Sequence, residues 1–371
     1  MDSFWVSLKE DLSLTDRLMF FCALMLASWG VICIYSAAAG SEGRGFDYAF
    51  RQAAWFLVSV IAMISVMMFG HNKLLEGAYP LYGLMLLLLF LTLLAPRVKG
   101  AQSWLGFGGV RFQPSEFAKV SIILVMSKFM SRYPPLDFKT FLMGLGVIMP
   151  AVILILLQPD AGSALVYLVI SFGMLFAAGT PMKYLGGLVG LGLSAIPVLF
   201  MFFLKDYQKN RILVFIDPMR DPLGAGYNVI QSRIAVGSGG MTGKGFMMGT
   251  QSKLKFLPEP HTDFIFSVFS EEFGFIGNTI LMLLFVILLF RVILSGVRSK
   301  DRRSKILCAG VASWLWFQMC ESIGMSIGLL PVTGLPLPFL SYGGSSLLST
   351  FIALGLVASI HIEGNNSRNV F

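Results

Sequence analysis

The sequence predicts an all-α polytopic membrane protein of about ten transmembrane helices, with one large extracytoplasmic loop between the seventh and the eighth. Two observations carry this. The chain is 56% hydrophobic with a mean hydropathy of +0.76, and only 13% of its residues are charged. That is about half the charge of a soluble domain. Apolar stretches of roughly 18 residues or more also recur along the whole length. Lipid offers no water to satisfy an exposed backbone, so each stretch must close its hydrogen bonds within a helix.

The N-terminal MDSFWVSLKEDLSLTDR is polar, shows no cleavable signal pattern, and reads as a surface segment before the first span. Spans are expected near 17–38, 52–69, 75–95, 114–131, 138–157, 161–179, 182–204, 265–290, 306–330 and 344–361. Together they form a single membrane domain over residues 1–371. Lys and Arg in the short loops set the orientation. With the N-terminus inside, the cytoplasmic segments hold Lys9, Arg17, Lys73, Arg132, Lys139, Lys183, the RVILSGVRSKDRRSK cluster and Arg368. The short outer loops hold Arg44, Arg51, Arg97, Lys99 and Arg111. An even number of spans returns the C-terminus to the cytoplasm.

The loop 205–263 is 59 residues long, too long for a connector. Apolar punctuation (RILVFIDP, YNVIQSRIAV, LKFLPEP) predicts that it folds, and its Lys and Arg outnumber its Asp and Glu by eight to five. Its GSGGMTGKGFMMG segment suits an anionic ligand: glycine lets backbone N–H groups approach phosphate oxygens, and Lys244 adds a point charge. The plainer reading is a basic surface drawn to anionic lipid headgroups.

Ionisable residues at membrane depth are costly and mark functional sites by default. RFQPSEFAKV places Glu116 and Lys119 at i, i+3 on one helix face, behind Pro114 in a first helical turn. The bland alternative is a structural ion pair. Asp160, in LLQPDAGSAL, is either functional or an N-cap for the sixth span, and Arg51 either functional or a side chain snorkelling to outer headgroups. In PEPHTDFIFSVFSEEFG, Asp263 opens a run of 27 residues without Lys or Arg, Phe264 to Phe290. As a helix that run is about 40 Å long, longer than the roughly 30 Å hydrocarbon core. Asp263 therefore belongs at the outer lip, as a reactive carboxylate or a helix cap. Glu271 and Glu272, two turns deeper, are expected to face the bundle interior, paired with basic residues or neutral. The four cysteines and three histidines match neither a metal site nor a disulfide framework, and no nucleotide-binding fingerprint or residue-level repeat is present. A carboxylate ringed by cations on one side of the membrane suits a reaction on a lipid-linked anionic substrate.

Motifs spread from end to end resemble the SEDS family (shape, elongation, division and sporulation). They are QSWLGFGGVRFQPSEFAKV, LLQPDAGSAL, NRILVFIDPMRDPLGAGYNVIQSRIAVGSGG, GKGFMMGTQSKLKFLPEPHTDFIFSVFSEEFGFIG and GLLPVTGLPLPFLSYGGSS. The GYNVIQS and GKG…GTQ forms and the short N-terminus lean towards the elongation branch over the division branch. The resemblance implies a peptidoglycan glycosyltransferase that polymerises lipid II outside the cytoplasmic (inner) membrane of a bacterium. It implies Asp263 as the base that takes a proton from the acceptor 4-hydroxyl of N-acetylglucosamine. That oxygen would attack the anomeric carbon of the donor muramyl sugar. Undecaprenyl pyrophosphate would leave, and the linkage would invert from α to β. Arg51, Glu116, Lys119, Asp160 and Arg211 match the family's substrate-site positions, and PLPFLSYGG would shape the outer cavity with non-helical backbone.

The resemblance further implies a class B penicillin-binding protein, a transpeptidase, as partner, alongside MreC, MreD and MreB of the elongation machinery. No cofactor is assigned, although a divalent cation (Mg or Mn) bridging pyrophosphate and a carboxylate is compatible with such chemistry. One departure stands out. The family commonly shows N-I-G-M before GLLPVTG, where this chain has Ser322-Ile323-Gly324-Met325 preceded by Glu321. Two rival functions are a lipid II flippase, disfavoured because the ionisable groups crowd one side, and a non-catalytic scaffold, which would leave Asp263 dispensable.

Overall fold

The computed structural model describes residues 15–42, 44–95, 103–107, 110–203, 206–222, 224–254 and 256–369. Lys9, Arg97 and Lys99 lie outside the described residues. Helices occupy every segment expected to span the membrane. They are α1 (Arg17–Glu42), α2 (Gly45–Phe69), α3 (His71–Glu76), α4 (Ala78–Thr92), α5 (Pro114–Arg132), α6 (Phe138–Leu157), α7 (Ala161–Ala177) and α8 (Met182–Val198, continued by a π turn Leu199–Phe203). After α9 (Asp206–Ile216), α10 (Ala225–Ser238) and α11 (Thr250–Lys253) come α12 (Ile265–Arg298), α13 (Arg302–Ile327) and α14 (Gly344–Asn369).

Seven of the described helices are long and apolar enough to cross a membrane, while α4 and α7 are apolar but shorter. Helix α5 is long but polar, carrying Glu116, Lys119, four serines and two further cations. Its packing explains this. Protein covers it on nearly all sides, from Pro114 to Met130, so it needs no lipid-facing apolar stripe. Helix α8 is the opposite case: Leu185 is its one buried residue among those described, and Leu191, Leu193 and Ile196 stand exposed, as lipid contact requires.

Local signals place the elements. Pro114 sits in the first turn of α5 behind extended Gln113. Asp160 caps α7 by accepting from the Ser163 amide at 3.0 Å and its hydroxyl at 2.8 Å. Helix α13 starts at Asp301, whose carboxylate accepts from the Arg303 amide, and stops at left-handed Gly328. Before α5 the chain forms a two-stranded antiparallel ladder, β1 (Leu105–Phe107) with β2 (Val110–Phe112), pairing Gly106 with Arg111. The sequence reading did not anticipate it. The core is formed by α14 along α2, α13 against α7 and α12, and α12 against α1.

The long loop is helical in large part, through α9 to α11 and a 3₁₀ turn at Pro218–Arg220. Its glycine-rich segment is locked onto α12. Gly274 breaks that helix at φ 63°, ψ −162°, a region open essentially to glycine alone. The break frees the amides of Phe275 and Ile276, which donate to Gly240 O and Met241 O at 2.9 and 3.0 Å. In return the amides of Lys244 and Gly245 donate to Glu271 O and Glu272 O, both at 3.0 Å. A Cβ on Gly274 would lie 2.3 Å from the Gly243 nitrogen, so the two backbones cross with no room for a side chain.

Candidate active site

Asp263 sits one residue before Phe264, the N-cap position of α12, whose own side chain makes no capping bond. Asp263 is half-buried and lines a cavity of about 230 Å³ with Arg211, Asn228, Glu259, Phe264 and Val332. Arg211, on α9, donates from Nη1 to Val332 O at 3.3 Å. A cation and a carboxylate thus face one cavity, bounded by the long loop on one side and the PVTG stretch after α13 on the other.

Glu116 and Lys119 form a buried pair at 2.7 Å, each about 2% exposed. Lys119 also donates to Gln318 Oε1 at 3.2 Å and lies 4.5 Å over the Trp314 ring, and Ser349 donates to Glu116 at 3.4 Å. Asp160 is near enough for its charge to act on Lys119. Gln318 in turn reaches Pro336 O with its amide at 3.5 Å, which ties the pair to the PLPF stretch after α13.

Arg51 lines a second, small recess with Arg44, Asp47 and Tyr48. Tyr48 joins it to the Asp263 segment: its ring lies 4.7 Å from His261 and 5.0 Å, edge-on, from Tyr342, whose amide donates to His261 O at 2.9 Å. The sequence reading missed this aromatic bridge. The H in HTDF and the Y in LSYGG were visible, but nothing local tied them to Tyr48, more than 200 residues earlier in the chain.

Lys244 requires a correction. It was expected to offer charge to phosphate. Instead its ammonium binds Glu271 Oε1 at 2.6 Å and the Thr250 hydroxyl at 3.0 Å. The amides of Lys244 and Gly245, likewise expected to approach phosphate, are spent on α12 carbonyls. The reason is Glu271, fully buried, which needs a counter-charge and takes it from the loop. Glu272 accepts from Ser36. Both acids face the protein interior, as expected. Glu321, also buried, accepts from Thr333. Among the described residues no group of three or more His, Cys, Asp or Glu gathers to hold a metal, so the cation compatible with the sequence has no protein cage there.

The comparisons with known proteins agree along nearly the whole chain. A family model for FtsW, RodA and SpoVE, described as a cell cycle protein, matches residues 16–366. Peptidoglycan glycosyltransferase MrdB of Escherichia coli is 38% identical over 350 residues, 93% of each chain. A chain from a peptidoglycan synthase complex, solved for its coordination of polymerization and crosslinking, superposes with a TM-score of 0.80 at 34% identity, covering 94% of this chain and 98% of that one. The crystal structure of the rod shape determining protein RodA of Thermus thermophilus does so with a TM-score of 0.71 at 30% identity, covering 94% and 96%. The chain belongs to the FtsW, RodA and SpoVE family, the SEDS family of cell cycle proteins.

Proposed function

We propose that this protein is a peptidoglycan glycosyltransferase that polymerises lipid II, with Asp263 as the general base. The observation that carries the reading is the half-buried Asp263 carboxylate in a cavity shared with Arg211. The relatives named as peptidoglycan glycosyltransferases, and the structural likeness to a RodA, support the activity.

The chemistry follows from the cavity. Asp263 takes the proton of the acceptor 4-hydroxyl as that oxygen attacks the anomeric carbon of the donor, and the lipid pyrophosphate departs with inversion. Arg211 faces the same space and balances charge on the departing pyrophosphate. Arg51 and its recess hold anionic groups of a second substrate. Buried Glu116 and Lys119, with half-buried Asp160 nearby, brace the packed helices, with Lys119 paired in place rather than free to swing. Lys244 anchors the long loop that carries Arg211 and Asp263.

The protein sits in a bacterial inner membrane with both termini in the cytoplasm and the cavity facing outwards, a topology favoured by its Lys and Arg distribution. Its partner is a class B penicillin-binding protein, supported by the matching chain from a complex that coordinates polymerization and crosslinking. MreC, MreD and MreB complete the assembly in which it would work. The test is purified Asp263→Asn protein given lipid II and scored for glycan polymer on a gel. Loss of polymer in a folded variant is expected, and normal product would end the proposal.

A further inference from the structure

The reaction described above leaves one neutral polar group of its cavity without a task. Asn228, in the first turn of α10, is half-buried and lines the space that Asp263 and Arg211 share. Among the described residues no hydrogen bond occupies its side-chain amide.

The helix that carries it is tied down. Ser232, one turn further along the same face of α10, shares a hydrogen bond of 2.7 Å with Ser267 of α12 and donates to Ser326 O of α13, also at 2.7 Å. Arg233 donates to Gly328 O at 2.8 Å, where α13 stops. At the start of α10 a Cβ on Gly226 would lie 2.1 Å from Pro218 O, so the backbone is packed there without slack. Asn228 therefore stands on a braced helix rather than on a loose stretch of loop.

Apolar side chains flank the amide. Val214 of α9 and Val229 of α10 are buried, and with Val332 they give the cavity a nonpolar wall beside its charged groups. Cations and an amide answer different parts of a substrate. A pyrophosphate has no N–H to donate and draws cations instead. An amide offers two N–H donors and a carbonyl acceptor, which match an acetamido group with its own C=O and N–H. The acetamido group also brings a methyl for the valines, which a ring hydroxyl does not. In N-acetylglucosamine the acetamido carbon and the carbon bearing the 4-hydroxyl are separated by a single ring carbon. A sugar whose 4-hydroxyl meets Asp263 thus keeps its acetamido group within the same small cavity.

We infer that Asn228 is a specificity-determining residue: its amide donates to the acetamido carbonyl of the acceptor N-acetylglucosamine and accepts from the acetamido N–H, with the methyl against Val214 and Val229. Asn228 makes and breaks no covalent bond. It selects the acceptor and sets its ring, and the proton goes to Asp263. The inference rests on the reading of Asp263 as the base of a lipid II polymerase.

The test is kcat/KM of the purified full-length protein on lipid II and on an analogue with a hydroxyl in place of the acetamido group of its glucosamine. The wild type should prefer lipid II by about tenfold or more, because the analogue leaves the amide unpaired. Asn228→Ala should lose about tenfold on lipid II, mainly through KM, and less than about twofold on the analogue, so that the preference collapses. Any loss the analogue suffers as donor is common to both proteins and cancels in the ratio. Asn228→Leu keeps the size of the side chain and should behave alike, and the wild-type preference is read without any variant. A wild type that does not discriminate, an equal loss on both substrates as a merely structural role produces, or a variant with its preference intact overturns the inference. The two readings fail separately. An active Asp263→Asn variant refutes the base, whereas inactive Asp263→Asn beside an Asn228→Ala variant of undiminished preference refutes only the role of Asn228.

Discussion

Two acidic regions flank the first turns of α12, and they are finished differently. Glu271 is fully buried and fully served. Its carboxylate accepts from Lys244 Nζ, from the amides of Thr250 and Gln251, and from the Thr250 hydroxyl. Around Asp263, eight residues earlier, two acids, Asp263 and Glu259, line a cavity. A buried charge given every partner fixes architecture. A carboxylate on a cavity wall can meet a substrate and take its proton. The first region clamps the long loop to α12, and the second uses the rigidity the clamp supplies.

The comparison breaks hardest at Asp263. Replacement by Asn should lower polymerisation about a hundredfold to ten-thousandfold, the range of general-base contributions. Thermal unfolding in detergent should hardly change, because Asn keeps the size of the side chain and an acceptor oxygen. A large drop in melting temperature would place Asp263 with the architectural acids instead. The converse substitution is Gly274→Ala. The backbone strain costs about 1–3 kcal/mol, and the clash with Gly243 adds to it, so the variant should unfold well below the wild type. Equal stability would mean that the crossing of loop and helix is not the clamp described.

Smaller in size is Lys244→Ala. It leaves Glu271 buried without its cation but with its amide donors, and Lys244 itself is 29% exposed, so a loss of about 2 kcal/mol is expected. Activity per folded molecule should stay within about twofold. A rise in the KM for lipid II with unchanged stability would restore Lys244 to the substrate site. The smallest effect lies away from both regions, at His71. Its ring nitrogens meet Ser359 at 3.0 Å and Ser304 at 3.2 Å. Burial holds its pKa below the ordinary value, against the pull of nearby Glu363 and Asp301. The unfolded chain therefore takes up that proton first, and stability should decline as pH falls below about 6.5, by less than about 1 kcal/mol. His71→Gln should flatten that slope, and an unchanged slope would assign the pH dependence to other groups.

The membrane class and the helical segments were legible in the sequence because they depend on local composition: a long apolar run has one way to satisfy its backbone in lipid. The acids and cations proposed for the site were visible for the same reason, since charge within apolar runs stands out. The β1–β2 ladder was not, because three-residue strands carry too little periodic signal. Nor was the Tyr48–His261–Tyr342 bridge, which joins three distant segments. The glycine-rich loop was read correctly as close backbone approach, but with the wrong partner. Glycine permits contact with phosphate and with another backbone alike, and nothing local tells them apart.

The sequence by itself determined that this is a helical membrane protein with a long basic loop and with acids set within and beside its apolar runs. Hydrophobicity and charge act at every residue whatever the final fold, so they can be read along the chain. Tertiary structure alone decided where the charges are held. Lys244 and Lys119 were committed to buried carboxylates, while Asp263 and Arg211 were set around one cavity. Pairing depends on distance between side chains, and distance is set only when the helices pack.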